Sequence, residues 1–198
     1  MNKKRSEKAT RTRQEILNTA VSLFQSHGIK EVSISTIMST LDLTPGGFYN
    51  HFESKEVLAQ EACESAFKDA LHLWQSTIGE ASIKSTPLHT LACAYIDVAS
   101  KGLCPVIAFS HDVSGAAQEK SLSQTYMAGA HRLLCAATEA ALASGKSNDE
   151  ALVHFAAMLG AGLLASASGS VPWVKEVVRA TESSMGYPSS SPSNLGLH

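Results

Sequence analysis

Apolar side chains recur every three or four residues along most of the chain, which is the spacing of one face of an α-helix. The first case is the series Ile16, Ala20, Leu23 and Phe24, which predicts a helix over residues 9–27. No segment shows a convincing alternation of apolar and polar residues of the kind that a half-buried strand requires. The pattern therefore predicts an all-α protein.

Glycine, proline and capping residues divide the chain into about nine predicted helices. Gly28 is expected to end the first helix and Ser33 to cap the second. Proline at a first helical position loses no hydrogen bond, so Pro87 and Pro172 are read as helix starts. The later predicted helices cover 33–41, a short stretch opened by Thr44, 55–78, 86–100, a brief stretch from 104 that ends before 115, 119–144, 148–168 and 172–184.

The segment 43–55 reads LTPGGFYNHFESK and lies in the third of these helices. Its helix-start signals, Thr44 and Pro45, are followed by two glycines, which are among the poorest helix formers. Three helices of these lengths have the proportions of a helix-turn-helix, whose last helix enters the major groove of DNA. Glycine removes the side chain that would hold the backbone away from a facing surface. We therefore expect the start of this helix to bring its N–H groups close to phosphate oxygens.

Charge is distributed unevenly although the net charge is only −2. Residues 1–14 carry six basic residues and one acidic residue, whereas residues 56–198 carry eight basic and 13 acidic ones. A basic N-terminal segment on an acidic body is typical of a chain whose two parts meet different partners. A disordered, solvated tail would show the same composition, so both interpretations stay open here.

Four cysteines occur without a CxxC pair, which predicts free thiols in a reducing cytoplasm. Three of them lie inside amphipathic predicted helices and are expected to be small core residues: Cys63, Cys93 and Cys135. The chain has no apolar signal segment at its start, and the longest apolar run, 153–167, is shorter than the roughly 20 residues that cross a bilayer. No phosphate-binding loop, nucleophile elbow or metal-spaced His cluster is present. We expect no metal, no cofactor and no membrane partner.

Residues 9–58 resemble the DNA-binding domain of the TetR/AcrR family of bacterial transcriptional regulators. The matching segments are TRQEILNTAVSLFQSHGIKEVSISTI and LTPGGFYNHFESKEVL. The resemblance implies an N-terminal basic arm and three-helix helix-turn-helix domain over 1–54 and a helical ligand-binding and dimerisation domain over 55–185. Residues 186–198, rich in Gly, Pro and Ser, are expected to form a disordered tail. Where the family often has Gly before the third helix, this chain has Asp42, which tolerates a left-handed backbone.

The resemblance also assigns DNA contacts by position. One set of positions is expected to contact phosphates and another to read bases. Among the base-reading positions only Asn50 is a strong direct reader, with a possible bidentate preference for adenine. For Tyr49 and His51 the alternative is ordinary packing. The expected phosphate contacts are Ser33, Thr44, Gly47, Tyr49, His51 and Lys55, and the expected base-reading positions are Ser35, Pro45, Gly46 and Asn50. Specificity is therefore expected to depend on DNA shape and on the basic arm at residues 3–13, which could follow either phosphates or a minor groove.

The body is expected to form a homodimer through residues 148–184, because two half-sites multiply specificity. The helix over 148–168 is apolar nearly all round and rich in small residues that permit close helix approach. A central helix of a monomeric core is the alternative.

The family's body holds a ligand pocket, and ligand binding shifts a two-state equilibrium. Each candidate lining residue could equally be core. These candidates are Trp74, Tyr95, Phe109, Tyr126 and Met127. Cys104 is a further sensor candidate, because it precedes Pro105 at a helix start where amide dipoles favour a thiolate, with His111 expected on the same helix. A buried structural cysteine is the alternative.

The sequence therefore predicts a transcriptional regulator, not an enzyme, that binds a palindromic operator in double-stranded DNA as a dimer. We expect a repressor released by a small-molecule effector. One alternative is a repressor triggered by oxidants or electrophiles that modify Cys104. A remote alternative is an enzyme that uses Cys104 and His111.

Overall fold

The structure, a computed structural model, describes residues 2–81, 85–114, 120–168 and 171–186. Within these ranges every regular element is helical, which confirms the predicted all-α fold. The helices are α1 (Asn2–His27), α2 (Ile34–Thr40), a 3₁₀ helix (Pro45–Asn50), α3 (Lys55–Gly79), α4 (Pro87–Ser100), α5 (Pro105–Ser110), α6 (Lys120–Ala143), α7 (Asn148–Ser168) and α8 (Pro172–Ser184). The predicted tail lies outside the described residues, apart from residue 186.

Three helices differ from the sequence-based expectation. The first begins at Asn2, about two turns earlier than predicted, because nothing in residues 3–8 breaks a helix and lysine, arginine and glutamate favour one. The helix opened by Thr44 is a 3₁₀ helix, the tighter form usual for short segments. The brief helix α5 ends at Ser110, so His111 follows it as its C-terminal cap residue.

Contacts divide the chain into two compact units. The first combines Met1–Leu73 with Lys101–Leu133, and the second combines Trp74–Ser100 with Leu134–His198. The domains predicted from the sequence, 1–54 for DNA binding and 55–185 for ligand binding and dimerisation, are functional divisions and stay a prediction, as does the tail 186–198.

The first unit has a core of fully buried side chains from several helices. Ile16 and Phe24 of α1, Ile37 of α2 and Phe67 of α3 are all inaccessible or nearly so. A Cβ added at Gly129 of α6 would overlap the ring of Phe67, so α3 and α6 approach closely at this point. The absence of a side chain at position 129 is therefore a condition of the packing.

The second unit contains α4, α7 and α8, which pack pairwise against one another, and the C-terminal parts of α3 and α6. Gly162 of α7 permits close approach to α4, because a Cβ there would lie 2.8 Å from Ala99 and 2.9 Å from the Tyr95 ring. The buried Thr86 hydroxyl donates to the Met185 carbonyl at 2.9 Å and so connects the start of α4 to the end of α8.

Helix α7 is 21 residues long and, alone among the helices of the described ranges, is long and apolar enough to cross a membrane. This property rests on length and composition only and belongs to the whole helix, whereas the expectation from the sequence concerned the shorter apolar run 153–167. The inner face of α7 buries Ala151, Met158 and Ala161, whereas Val153 and Leu163 remain more than half exposed. The helix thus has one packed face and one uncovered apolar face.

The same helix carries His154, which is about nine-tenths buried. Its Nδ1 is a buried side-chain atom with no hydrogen-bond partner among the described residues. Burial lowers the pKa of His154, and the charge of Lys146 lowers it further, while Glu150 opposes the shift. The folded protein therefore favours the neutral imidazole.

This shift predicts a dependence of stability on pH. Below the unfolded-state pKa of about 6.5 the unfolded chain binds a proton that the folded chain resists, so the free energy of unfolding falls as the pH is lowered. We expect His154→Gln to reduce this fall between about pH 7 and pH 5 in urea unfolding experiments. The exposed His72, replaced by Gln, is the matched control. An unchanged pH slope in His154→Gln would contradict the assignment.

The contact at Gly129 predicts a loss of stability on adding one methyl group. Gly129→Ala should lower the free energy of unfolding by about 1–3 kcal/mol, because the methyl group would force the Phe67 ring or the helix backbone to move. The control is Gly79→Ala at the end of α3, where an added Cβ meets open space. Equal stability of the two variants in chemical denaturation would show that α6 adjusts without cost.

Candidate nucleic-acid interface

Helix α2 begins with a side-chain cap supplied by Ser33. The Ser33 hydroxyl accepts a hydrogen bond from the Thr36 N–H at 3.0 Å, which satisfies one of the free donors of the first turn. Ser33 is nevertheless exposed, as is Ser35 two residues later. The helix is held from the inside by Ile37 and Met38, both buried. The capping hydroxyl therefore lies at the surface beside a rigid helix start.

The turn between α2 and the 3₁₀ helix contains a left-handed residue. Asp42 has φ 55°, and its N–H donates to the Ser39 carbonyl at 3.1 Å. The Leu43 N–H donates to the Met38 carbonyl at 2.9 Å and completes the turn. Aspartate thus adopts the conformation for which glycine is usual, as the sequence predicts.

The two glycines of the 3₁₀ helix have no reason inside the chain to be glycines. Neither Gly46 nor Gly47 has a positive φ. A Cβ at Gly46 would meet no atom within 4 Å, and one at Gly47 would make ordinary contacts of 3.7 Å with Met38 and Thr44. The missing side chains therefore serve neither backbone geometry nor internal packing, and they leave bare backbone at the surface.

Aromatic side chains anchor this short helix. Phe48 is fully buried and stacks on Phe52 with ring centroids 5.7 Å apart. Tyr49 packs edge-on against Phe48 at 5.3 Å, yet it is 65% exposed. Its hydroxyl is thus available to a partner while the ring is fixed in direction.

The junction with α3 places a helix start next to the 3₁₀ helix. The Ser54 hydroxyl accepts a hydrogen bond from the Val57 N–H at 3.3 Å, and its interaction with Glu56 lowers the pKa of that carboxyl. Lys55 is the first residue of α3 and is partly exposed. This helix start combines a cation with the positive end of a helix dipole, and both attract anions.

The predicted contact residues lie within one continuous stretch of the first unit, and all of them are at least partly accessible. Those that are exposed are Ser33, Ser35, Thr44, Pro45, Gly46, Tyr49 and Asn50, and those of intermediate exposure are Gly47, His51 and Lys55. Asp42 is the exposed acidic residue between α2 and the 3₁₀ helix.

Arg13 has a different environment from the one expected for a residue of the DNA-contacting arm. Both of its short contacts to the Glu61 carboxylate are 2.8 Å, and its Nε–H donates to the His51 carbonyl at 3.2 Å. Its guanidinium also lies 4.3 Å from the centroid of the Phe52 ring. The side chain is thus engaged within the chain. The sequence carries no signal for this role, because the partners lie 38 to 48 residues away.

The sensor candidates fall into two groups. In the second unit, Trp74 and Tyr95 are buried with ring centroids 5.5 Å apart, and Phe155, which the sequence analysis did not single out, lies 6.4 Å from Trp74. In the first unit, Phe109 is fully buried and Tyr126 donates to the Val106 carbonyl at 2.9 Å.

Three candidates lie outside these groups. Met127 is 63% exposed and His111 is exposed, so neither lines the interior. Cys104 is only 3% exposed, which favours the structural alternative for this thiol. It nevertheless lies close enough to Tyr126 to contribute, after burial, to the raised pKa of that phenol.

The remaining cysteines do not share one environment. Cys63 is fully buried, and burial raises the pKa of its thiol to about 12. Cys93 is half-buried, and burial followed by the charge of Glu182 raises its pKa. Cys135 is exposed, so the expectation that it is a small core residue is wrong. Cys135 lies on the exposed face of α6, whereas the helical periodicity of the sequence had placed it on the buried face.

An open cleft of about 610 Å³ lies in the second unit, and none of the residues predicted to line a ligand pocket borders it. Its floor is apolar, and charged side chains of α4 and α8 stand at its rim. Among the residues that line it are Ile96, Asp97, Val174, Val178, Arg179 and Glu182. No local pattern indicates it, because it forms only where α4, α7 and α8 meet.

Residues 16–62 match the family described as bacterial regulatory proteins, tetR family. A protein of Escherichia coli named "Probable acrEF/envCD operon repressor" is 36% identical over 61 residues, 31% of this chain and 28% of that protein. The HTH-type transcriptional repressor DhaR of a Mycobacterium species is 30% identical over 74 residues, 37% of each chain. The A-factor receptor protein of Streptomyces griseus is 38% identical over 53 residues, 27% of this chain and 19% of that protein. The chain thus spans between 19% and 37% of the length of these relatives.

Two solved structures extend the likeness to most of the chain at the level of the fold. The reduced form of NemR from Escherichia coli has a TM-score of 0.74 and 18% identity, over 90% of this chain and 98% of that one. A TetR transcriptional regulator from Chloroflexus aurantiacus has a TM-score of 0.76 and 20% identity, over 89% and 95% of the two chains.

Proposed function

We propose that this chain, which belongs to the tetR family of bacterial regulatory proteins, is a cytoplasmic repressor that binds a palindromic operator as a homodimer and is released by a small molecule. The 3₁₀ helix Pro45–Asn50 enters the major groove, and the starts of α2 and α3 bind phosphates on either side. Asn50 reads a base edge, and Ser35, Pro45 and Gly46 face bases at short range.

The observation that carries this proposal is the bare backbone at Gly46. An exposed glycine without positive φ and without a neighbour at its missing Cβ gains nothing for the folded chain and costs conformational entropy. The presence of glycine at position 46 is explained if another surface has to approach the backbone more closely than a methyl group would allow. The floor of the major groove is such a surface, because it admits a helix and presents base edges.

Homodimerisation is supported by the uncovered face of α7. Five exposed positions there are apolar or glycine and follow one another at spacings of three, four, three and four residues: Val153, Ala156, Gly160, Leu163 and Ala167. An average spacing of 3.5 residues is the pattern of two helices that pack with interlocking side chains. Gly160 has open space at its missing Cβ within the protomer, which fits a close crossing with a second helix. We therefore assign this face to a second copy of the chain and not to a membrane.

The basic arm is best suited to phosphates. Because α1 begins at Asn2, the segment 3–11 is helical, and an α-helix with side chains is about 10–12 Å wide. The minor groove of B-DNA is only about 6 Å wide, so a helix does not enter it. Lys8 and Arg11 are exposed and would follow the DNA backbone.

The small-molecule effector is supported by the second unit. Its cleft of about 610 Å³ has the size of sites for drug-sized ligands. The name of the Streptomyces griseus relative also describes a receptor. Ligand binding would shift the population between a state that fits the operator and one that does not.

The alternative trigger, modification of Cys104, has less support. A thiol with 3% exposure is reached by an oxidant or electrophile only after local opening of the chain. We therefore favour a non-covalent effector.

The proposal is tested by selecting duplexes that bind the purified protein and measuring affinity for the selected inverted repeat. We expect wild-type protein to prefer this duplex to a scrambled one at moderate salt, and Gly46→Ala to lose roughly 1–3 kcal/mol of binding free energy, the scale of one disrupted base position. Gly79→Ala, also in open space, is the matched control and should bind as wild type. A wild-type protein with no preference for inverted repeats would refute the proposed function, and full affinity of Gly46→Ala would refute the close approach.

The dimer face is tested with one charge. Leu163→Lys should raise the dimer dissociation constant at least about 100-fold in sedimentation experiments, because it leaves an unpaired charge in an apolar interface. Operator affinity should fall with it, since each half-site is then bound separately. Leu142→Lys, at a similarly exposed leucine of α6, is the control. Dimers of unchanged strength in Leu163→Lys would place the interface elsewhere.

A further inference from the structure

The short 3₁₀ helix is poorly equipped to hold its own conformation. It has six residues, two of them glycine, and its N-cap residue Thr44 makes no side-chain capping bond. Helices of this length do not form alone in water, and 3₁₀ hydrogen bonds are poorer than those of an α-helix. Its order must therefore come from other elements that pack against it.

At the N-terminal half the order comes from apolar packing. A Cβ at Gly47 would lie 3.7 Å from the methyl end of Met38, so the backbone there runs close to α2, and the buried Phe48 fixes the helix axis against the core. At the C-terminal half the carbonyl groups of the last turn need partners, and the cap residue there is His51. Arg13 supplies one, because its Nε–H donates to the His51 carbonyl at 3.2 Å.

The same guanidinium makes two further interactions that fix its position. Its Nη2 contacts both oxygens of Glu61 on α3 at 2.8 Å, and its carbon lies 4.3 Å from the centre of the Phe52 ring. Each partner alone would contribute little at a side chain that is 41% exposed. A planar group that satisfies a carbonyl, a carboxylate and an aromatic face at once requires arginine, because lysine has neither the fork nor the flat face.

These contacts also make Arg13 a poor phosphate ligand. Its charge is compensated by Glu61, and Nε and Nη2 already donate within the chain. Arg11, two residues earlier, has a more exposed side chain, and its one ion pair within the described part of the chain is with Glu15, one turn away on the same helix face. The two arginines of one basic segment thus have different environments.

We propose that Arg13 is a positioning residue that holds the C-terminal end of the 3₁₀ helix in the conformation that meets DNA. This proposal rests on the proposed function for its consequence, although not for its geometry. Without Arg13 the segment 48–54 samples other conformations, and part of the binding free energy goes into ordering it. The loss is the same for every DNA sequence and leaves the number of neutralised phosphates unchanged.

The test compares Arg13→Lys and Arg13→Ala on the full-length protein. Both should weaken operator binding by a similar factor of about ten, because lysine keeps the charge but not the three contacts. The slope of log affinity against log salt should stay at the wild-type value in both. Arg11→Ala is the control, and it should lower the slope by about 0.9 if Arg11 neutralises one phosphate.

Amide hydrogen exchange supplies a readout that needs no DNA. The N–H groups of His51 and Phe52 both donate to the Phe48 carbonyl, at 2.8 and 3.1 Å, so they report on the end of the 3₁₀ helix. Exchange at these two amides should be faster in Arg13→Lys than in wild type, while amides in the middle of α3 keep their protection. This variant retains charge and most of the side-chain length, so it guards against global unfolding in Arg13→Ala.

The outcomes separate the two proposals. Wild-type affinity in both Arg13 variants would overturn the positioning role. So would wild-type affinity in Arg13→Lys combined with a reduced salt slope in Arg13→Ala, and this result would make Arg13 a phosphate contact. If the wild type prefers no duplex, the proposed function fails, and exchange at His51 and Phe52 alone decides the role of Arg13. Unchanged exchange there would overturn it.

Discussion

The surface that we assign to DNA depends on one constraint: a six-residue 3₁₀ helix with adjacent glycines has to be ordered by residues outside itself. Burial of Phe48 and its stacking on Phe52 fix the helix from below, and Arg13 fixes its C-terminal end from α1. The left-handed Asp42 sets the direction in which the chain enters it. With these in place the exposed side of the helix can consist of bare backbone, which is the feature on which the proposed recognition of DNA at short range depends.

Four helical glycines of this chain form two pairs that differ in the space around the missing side chain. At Gly129 and Gly162 another helix of the same chain occupies the place of a Cβ, so these glycines set internal helix distances. At Gly46 and Gly160 that place is empty although both lie at helix surfaces, so the reason lies outside the protomer. We assign the first of these two surfaces to DNA and the second to another copy of the chain, and a twofold-symmetric operator would require both.

Much of the candidate interface could be predicted because its signals are local. Ser33 caps α2 through a bond to a residue three positions on, and Pro45 starts a helix by its own ring geometry. The assignments that failed depended on distant contacts. Periodicity placed Cys135 in the core because the sequence of a helix does not show which of its faces the neighbouring helices cover. Met127 was expected to line a pocket for the same reason, and it is exposed.

The sequence by itself determined the helices, their caps and turns, the basic segment and the glycine-fronted motif, because each of these is set by residues within about one turn of one another. Only the tertiary structure decided that Arg13 holds the junction at His51, that Cys104 is buried and that α4, α7 and α8 form a cleft. These features join residues that are tens of positions apart. Their formation depends on which helix faces meet when the core is packed, and intrinsic propensity carries no information about that choice.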